Sequence, residues 1–108
     1  MARKDFHKLI RDKIPEKIAA SGARAEIREL NEDEYISALK RKVLEEGAEL
    51  ERATELTALD EIADVYEVLA ALIKALGITE RQVKDAREAK VAGNGAFEKR
   101  LFLEWTEE

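Results

Sequence analysis

Glu45-Glu46-Gly47-Ala48-Glu49 and, one short turn later, Glu61-Ile62-Ala63-Asp64 decide how this chain folds. Each stretch repeats an acid three residues on, which places both carboxylates on one face of a helix. A helical residue advances about 100°. Glu46 therefore lies almost beneath Leu39, inside the apolar stripe Ile36, Leu39, Val43, Leu50, with Glu49 at its edge and Glu45 turned further towards water. The second helix is apolar over most of its circumference: Leu59, Ile62, Val65, Tyr66, Val68, Leu69, Leu72, Ile73 and Leu76. Such a helix is covered on more than one side, which in a small chain implies a subunit interface. Two helices joined by a short turn pack antiparallel, so the two acid pairs, at similar distances from the turn, can meet at one level. Clustered carboxylates are costly to desolvate without a cation. Oxygen ligands with no thiol and no nearby imidazole suit Mg²⁺ or Mn²⁺ rather than zinc.

Outward from this pair, the helix signals are clear. Asn31 and Glu34 form a capping-box pattern ahead of a helix expected over 32–53, and Thr57 is the expected cap of a helix over 58–76 ended by Gly77. Thr79 and Gln82 repeat the box for a helix over 80–92 closed by Gly93, with Asn94-Gly95 as a turn. A short helix is expected over 12–20, capped by Asp12, with Pro15 in its first turn and Gly22 at its exit. Residues 24–30 partly alternate polar and apolar and are expected to form a strand that pairs with a second over 100–105. The fold class is mainly α: one domain over 1–108, a helical bundle with two short strands near its ends.

Composition narrows the function. The chain has 108 residues, 45% hydrophobic and 40% charged, with a formal net charge of −5. An acidic chain lacks the basic footprint of a nucleic-acid polymer binder, and one so short gains from oligomerising. The absence of Cys excludes disulfides, thiolate metal sites and Cys nucleophiles and fits a cytoplasmic setting. No apolar run approaches the roughly 18 residues of a membrane span, and the N-terminus lacks the apolar core of a signal peptide. Asn occurs only at 31 and 94 and Gln only at 82, which leans towards a thermophilic source.

The spacing Glu45-Glu46-x-x-Glu49 then Glu61-x-x-Asp64 resembles the signature of the all-α nucleoside triphosphate pyrophosphatases, which include MazG, the dimeric dUTPases and phosphoribosyl-ATP pyrophosphohydrolase. Two flanks sharpen the likeness. Lys8-Leu9-Ile10-Arg11-Asp12-Lys13-Ile14-Pro15-Glu16 and Gly95-Ala96-Phe97-Glu98-Lys99-Arg100-Leu101-Phe102-Leu103-Glu104 resemble the ends of a MazG-like branch labelled phosphoribosyl-ATP pyrophosphohydrolase-like. The resemblance implies a bundle that forms a dimer or a larger homo-oligomer. It also implies hydrolysis of a nucleoside triphosphate between its α and β phosphates, clearing noncanonical nucleotides or acting on phosphoribosyl-ATP. Carried over, it implies Glu46, Glu49, Glu61 and Asp64 as metal ligands. Two departures stand out: Gly47 interrupts the signature helix, where close backbone packing would explain it, and Gly95-Ala96 stands where paired glycines are expected.

Pyrophosphate chemistry needs a carboxylate to position or deprotonate water, for which Glu45 and Glu49 are the candidates. It also needs cations for the outer phosphates, and Arg11, Lys13, Lys42, Lys99 and Arg100 are those expected to supply them. His7, the only His, is expected at the surface; Phe97, Phe102 and Trp105 are expected to anchor the tail to the core. The alternatives are a solvated acidic face with pairs such as Lys42–Glu46, and a non-catalytic helical module with a structural metal site.

Overall fold

The computed structural model describes residues 2–108, and it is built from helices. In order these are α1 (Ile14–Ala20), α2 (Glu32–Arg52), α3 (Ala58–Ala75) and α4 (Glu80–Asn94). The chain falls into two compact units, Met1–Gly77 and Ile78–Glu108, each described by itself below.

In the first unit, α2 starts where the capping box dictates. The Glu34 amide donates to Asn31 Oδ1 at 2.9 Å, and the Asn31 amide donates back to Glu34 Oε1 at 3.2 Å. Arg28 adds a guanidinium to the same Glu34 at 3.1 Å. At the other end Ala53 turns extended and the chain reverses through residues 53–57. Here Thr57 behaves differently from expectation. Its side chain makes no cap hydrogen bond to α3; instead Thr57 Oγ1 accepts the Thr54 amide at 3.1 Å and closes the reversal. The hydroxyl serves the turn because Thr57 takes helical angles (φ −109°, ψ −8°), not the extended angles a capping side chain needs. α2 and α3 pack as an antiparallel hairpin, with Leu39 at 3% exposure and Val68 facing each other's helix as the buried residues among those described.

α1 is shorter than expected. Lys13 occupies its cap position without a side-chain hydrogen bond, so Asp12 is not the cap. Gly22, at φ 83°, provides the exit as expected. Gly77, at φ 72°, ends α3, and its amide donates to the Lys74 carbonyl at 3.1 Å.

α3 presents a second apolar face opposite Val68. Leu59 is 77% and Tyr66 71% exposed, with Ile62 and Leu69 between and beyond them. One face serves the hairpin, and the other is exposed in the first unit among the described residues.

In the second unit, Thr79 and Gln82 form the expected box, with the Thr79 amide donating to Gln82 Oε1 at 2.8 Å. α4 runs through Gly93 and stops at Gly95, whose φ of 82° a residue with a side chain adopts reluctantly.

Neither expected strand forms among the described residues. Over 24–30, Ile27 and Leu30 are the large apolar side chains, too few to bury a face: Ile27 stays exposed and Leu30 is half-buried. Over 100–105, the consecutive Leu101-Phe102-Leu103 breaks the two-residue period of a strand. A two-stranded pairing is marginal in water without further cover. The aromatic anchors also differ from expectation: Phe97 is 96% exposed, and Phe102 and Trp105 are exposed too. Anchoring needs apolar surface to pack on, and in 78–108 only Val83 is even half-buried.

Candidate metal and phosphate site

The hairpin brings Glu46 of α2 together with Glu61 and Asp64 of α3. One carboxylate oxygen from each lies within 4.8 Å of the other two, and all three residues are half-buried. The donor chemistry fits a hard divalent cation: three carboxylates from two rigid helices, with neither thiolate nor imidazole among them. The charges press on one another. Partial burial pushes the Glu61 carboxyl above the usual carboxylate range, and the neighbouring Asp64, Glu49, Glu46 and Asp60 push it the same way.

The flanking acids are held differently. Glu49 is near enough to act on Glu61 electrostatically, but its carboxylate accepts from Arg52 Nη2 at 2.8 Å and its side chain is 54% exposed, against 16% for Glu46. It borders the trio without joining it. Glu45 pairs with Lys42 at 3.5 Å, and Lys42 also reaches Glu46 Oε1 at 3.6 Å. The pairing expected of a solvated face is therefore present, yet Lys42 is largely covered, at 17% side-chain exposure.

Beside the trio runs an open groove of about 500 Å³ between the segment 9–17 and the α2–α3 hairpin. Arg11, Lys13 and Lys42 line it together with Glu46 and Asp64, so three of the five expected cations line the same groove as two acids of the trio. Arg11 Nη2 donates to Asp64 Oδ1 at 2.8 Å. Lys99 and Arg100 belong to the second unit and are exposed there, Arg100 with φ 59° in a turn whose amide donates to the Phe97 carbonyl. His7 is exposed, as expected.

Tyr35 and Lys17 also line the groove and were not singled out from the sequence. The signal was there: Tyr35, Leu39, Lys42 and Glu46 recur at four, three and four residues along one face of α2, and Lys17 follows Lys13 by one turn. Among the described residues no close packing accounts for Gly47, since a Cβ there would meet nothing within 4 Å.

No family model matches the chain, and no solved structure matches it. A stretch of 45 residues is 56% identical to an uncharacterized protein of Mycolicibacterium smegmatis. The match takes in 42% of this chain and spans 46% of that protein's length. Among the described residues, no helix is long and apolar enough to cross a membrane.

Proposed function

We propose that this chain is a metal-dependent nucleotide pyrophosphohydrolase, cleaving a nucleoside triphosphate to monophosphate and pyrophosphate. One observation carries the reading: two of the three convergent carboxylates, Glu46 and Asp64, line a groove that also presents Arg11, Lys13, Lys17 and Lys42. Acids alone suggest a metal, and bases alone suggest an anion. The two side by side suit a polyphosphate bound through a divalent ion.

In this reading Glu46, Glu61 and Asp64 hold Mg²⁺, or Mn²⁺ in its place. The ion would neutralise phosphate oxygens and orient the anhydride. Arg11, Lys13 and Lys42 bind the outer phosphates. Glu49, at the edge of the trio, takes the proton of the attacking water as the bond between the α-phosphorus and its bridging oxygen breaks; Glu45 is tied to Lys42 and is the second candidate for that proton.

We also read the uncovered face of α3, with Leu59, Ile62, Tyr66 and Leu69, as the packing surface of a homo-oligomer, dimeric or tetrameric. A partner would offer the apolar surface that the tail aromatics and the segments 24–30 and 100–105 lack. A cytoplasmic nucleotide pool is the setting we propose.

The deciding experiment incubates the full chain with Mg²⁺ and a panel of canonical and noncanonical nucleoside triphosphates, with phosphoribosyl-ATP included, and assays pyrophosphate. Release from one or more members is expected. If folded protein releases none from any, the reading is wrong. Exclusive cleavage of phosphoribosyl-ATP would assign the narrower activity.

A further inference from the structure

Arg11 and Lys42 both sit among the acids, but they are tethered in opposite ways. Lys42 is held inside α2 by pairs at three and four residues' distance and is largely covered. Arg11 comes from the segment ahead of α1, 53 positions before its partner Asp64, and its side chain is 60% exposed. Lys42 is anchored within its own helix, whereas Arg11 reaches Asp64 from another segment through an exposed pair.

Its place is also the one a cation would need. The Arg11 guanidinium donates to Oδ1 of Asp64, a carboxylate of the converging trio, so a metal ion drawing on Asp64 competes with it for the same negative charge. An exposed pair of this kind is worth little, so exchange costs little. A released guanidinium already lies on the groove wall, and its planar fork matches phosphate oxygens.

We propose that Arg11 is the resident counterion of Asp64, that a divalent ion displaces it, and that the freed guanidinium then grips the phosphate of the ligand. This rests on the acids being a divalent-cation site. The exchange makes metal and phosphate binding cooperative, and the cooperativity is reciprocal: whatever factor the metal lends to phosphate affinity, phosphate lends to metal affinity. Arg11 is here a positioning residue as well as a phosphate ligand, with two effects of opposite sign.

The test measures binding, not turnover, on the full chain. Mn²⁺ is titrated alone, by calorimetry or by its paramagnetic signal, into wild type, Arg11→Ala, Arg11→Lys and Asp64→Asn, with Arg3→Ala as a surface control. Loss of the competitor should tighten Mn²⁺ binding to Arg11→Ala by about two- to fivefold, the worth of an exposed ion pair. Arg11→Lys and Arg3→Ala should stay near wild type. With Mg²⁺ saturating, inorganic pyrophosphate should bind Arg11→Ala about tenfold more weakly than wild type, as expected for a lost charge-assisted contact. Mn²⁺ binding that depends on Asp64 but is unchanged or weakened in Arg11→Ala would overturn the exchange and leave the metal site standing. Absence of Mn²⁺ binding to every variant would overturn both.

Discussion

The two ends of α2 hold glutamates in opposite circumstances. At its start, Glu34 has a donor for each need: the Arg28 guanidinium, whose hydrogen bond does most to hold its carboxyl below the usual range, and the Asn31 amide. At its far end, Glu46 meets Glu61 and Asp64, and the nearby acids outnumber Lys42 and Arg11. There the Glu61 carboxyl is held above the usual range instead. The same residue type stabilises a helix in one place and strains a hairpin in the other. A carboxylate whose partners all come from the chain needs nothing further, whereas a cluster short of cations keeps its repulsion, and the proposed metal reading rests on that contrast.

The strongest test of that contrast is chemical. Asp64→Asn or Glu61→Gln should cut pyrophosphate release by at least about 100-fold, in line with the loss of metal-site residues, while circular dichroism shows the helices intact. Glu34→Gln should leave turnover near wild type. Equal losses in the two sets would erase the distinction between the ends.

Mg²⁺ gives the next largest effect. At about one hundred times its dissociation constant, a ligand bound only by the folded state adds roughly 2.7 kcal/mol, which for a chain of this size raises Tm by about 10 °C. Calorimetry with and without Mg²⁺ should show that rise in wild type and none in Asp64→Asn. A midpoint indifferent to Mg²⁺ in wild type would break the comparison.

Asn31→Ala should cost about 1 kcal/mol through the lost cap, read from chemical denaturation, with no effect on the Mg²⁺ response. The pH dependence has a sign at each end. The Glu34 pKa is lowered on folding, so its contribution is present above the unfolded carboxylate pKa and fades as pH falls through the lower folded value. The Glu61 pKa is raised, so ionised Glu61 opposes folding above that raised value and the penalty fades as pH falls through it. Metal-free Glu61→Gln should therefore be more stable than wild type at neutral pH, with the gap closing in acid. A gap that widens in acid would reverse the electrostatic reading.

Much of this was legible in the sequence, for local reasons. Asn31 with Glu34 and Thr79 with Gln82 each contain both halves of a reciprocal cap, so the helix starts needed no tertiary knowledge. The meeting of Glu46 with Glu61 and Asp64 followed from helical period and a short turn. Thr57 is ambiguous in the sequence because a hydroxyl three residues from a turn amide can serve either the turn or the helix, and only the backbone angles decide. The expected strands depended on a partner edge, which is tertiary information. Glu49 lies too near the edge of its face for spacing alone to separate a ligand from a neighbour. The Arg11–Asp64 pair lies beyond any local rule: Arg3, Lys4, Lys8, Arg11 and Lys13 crowd one segment, and packing alone selects among them.

The reversal at 53–57 has a kinetic consequence. It places the three convergent acids between positions 46 and 64, so closing one small loop is enough to assemble them. Contacts this local form early, and hairpins of neighbouring helices are among the fastest structures to fold. During synthesis the acidic trio can be in place while α4 is still being made. The nascent chain then carries the mutual repulsion of these acids before α4 is complete, so the electrostatic cost at Glu61 is met early in folding.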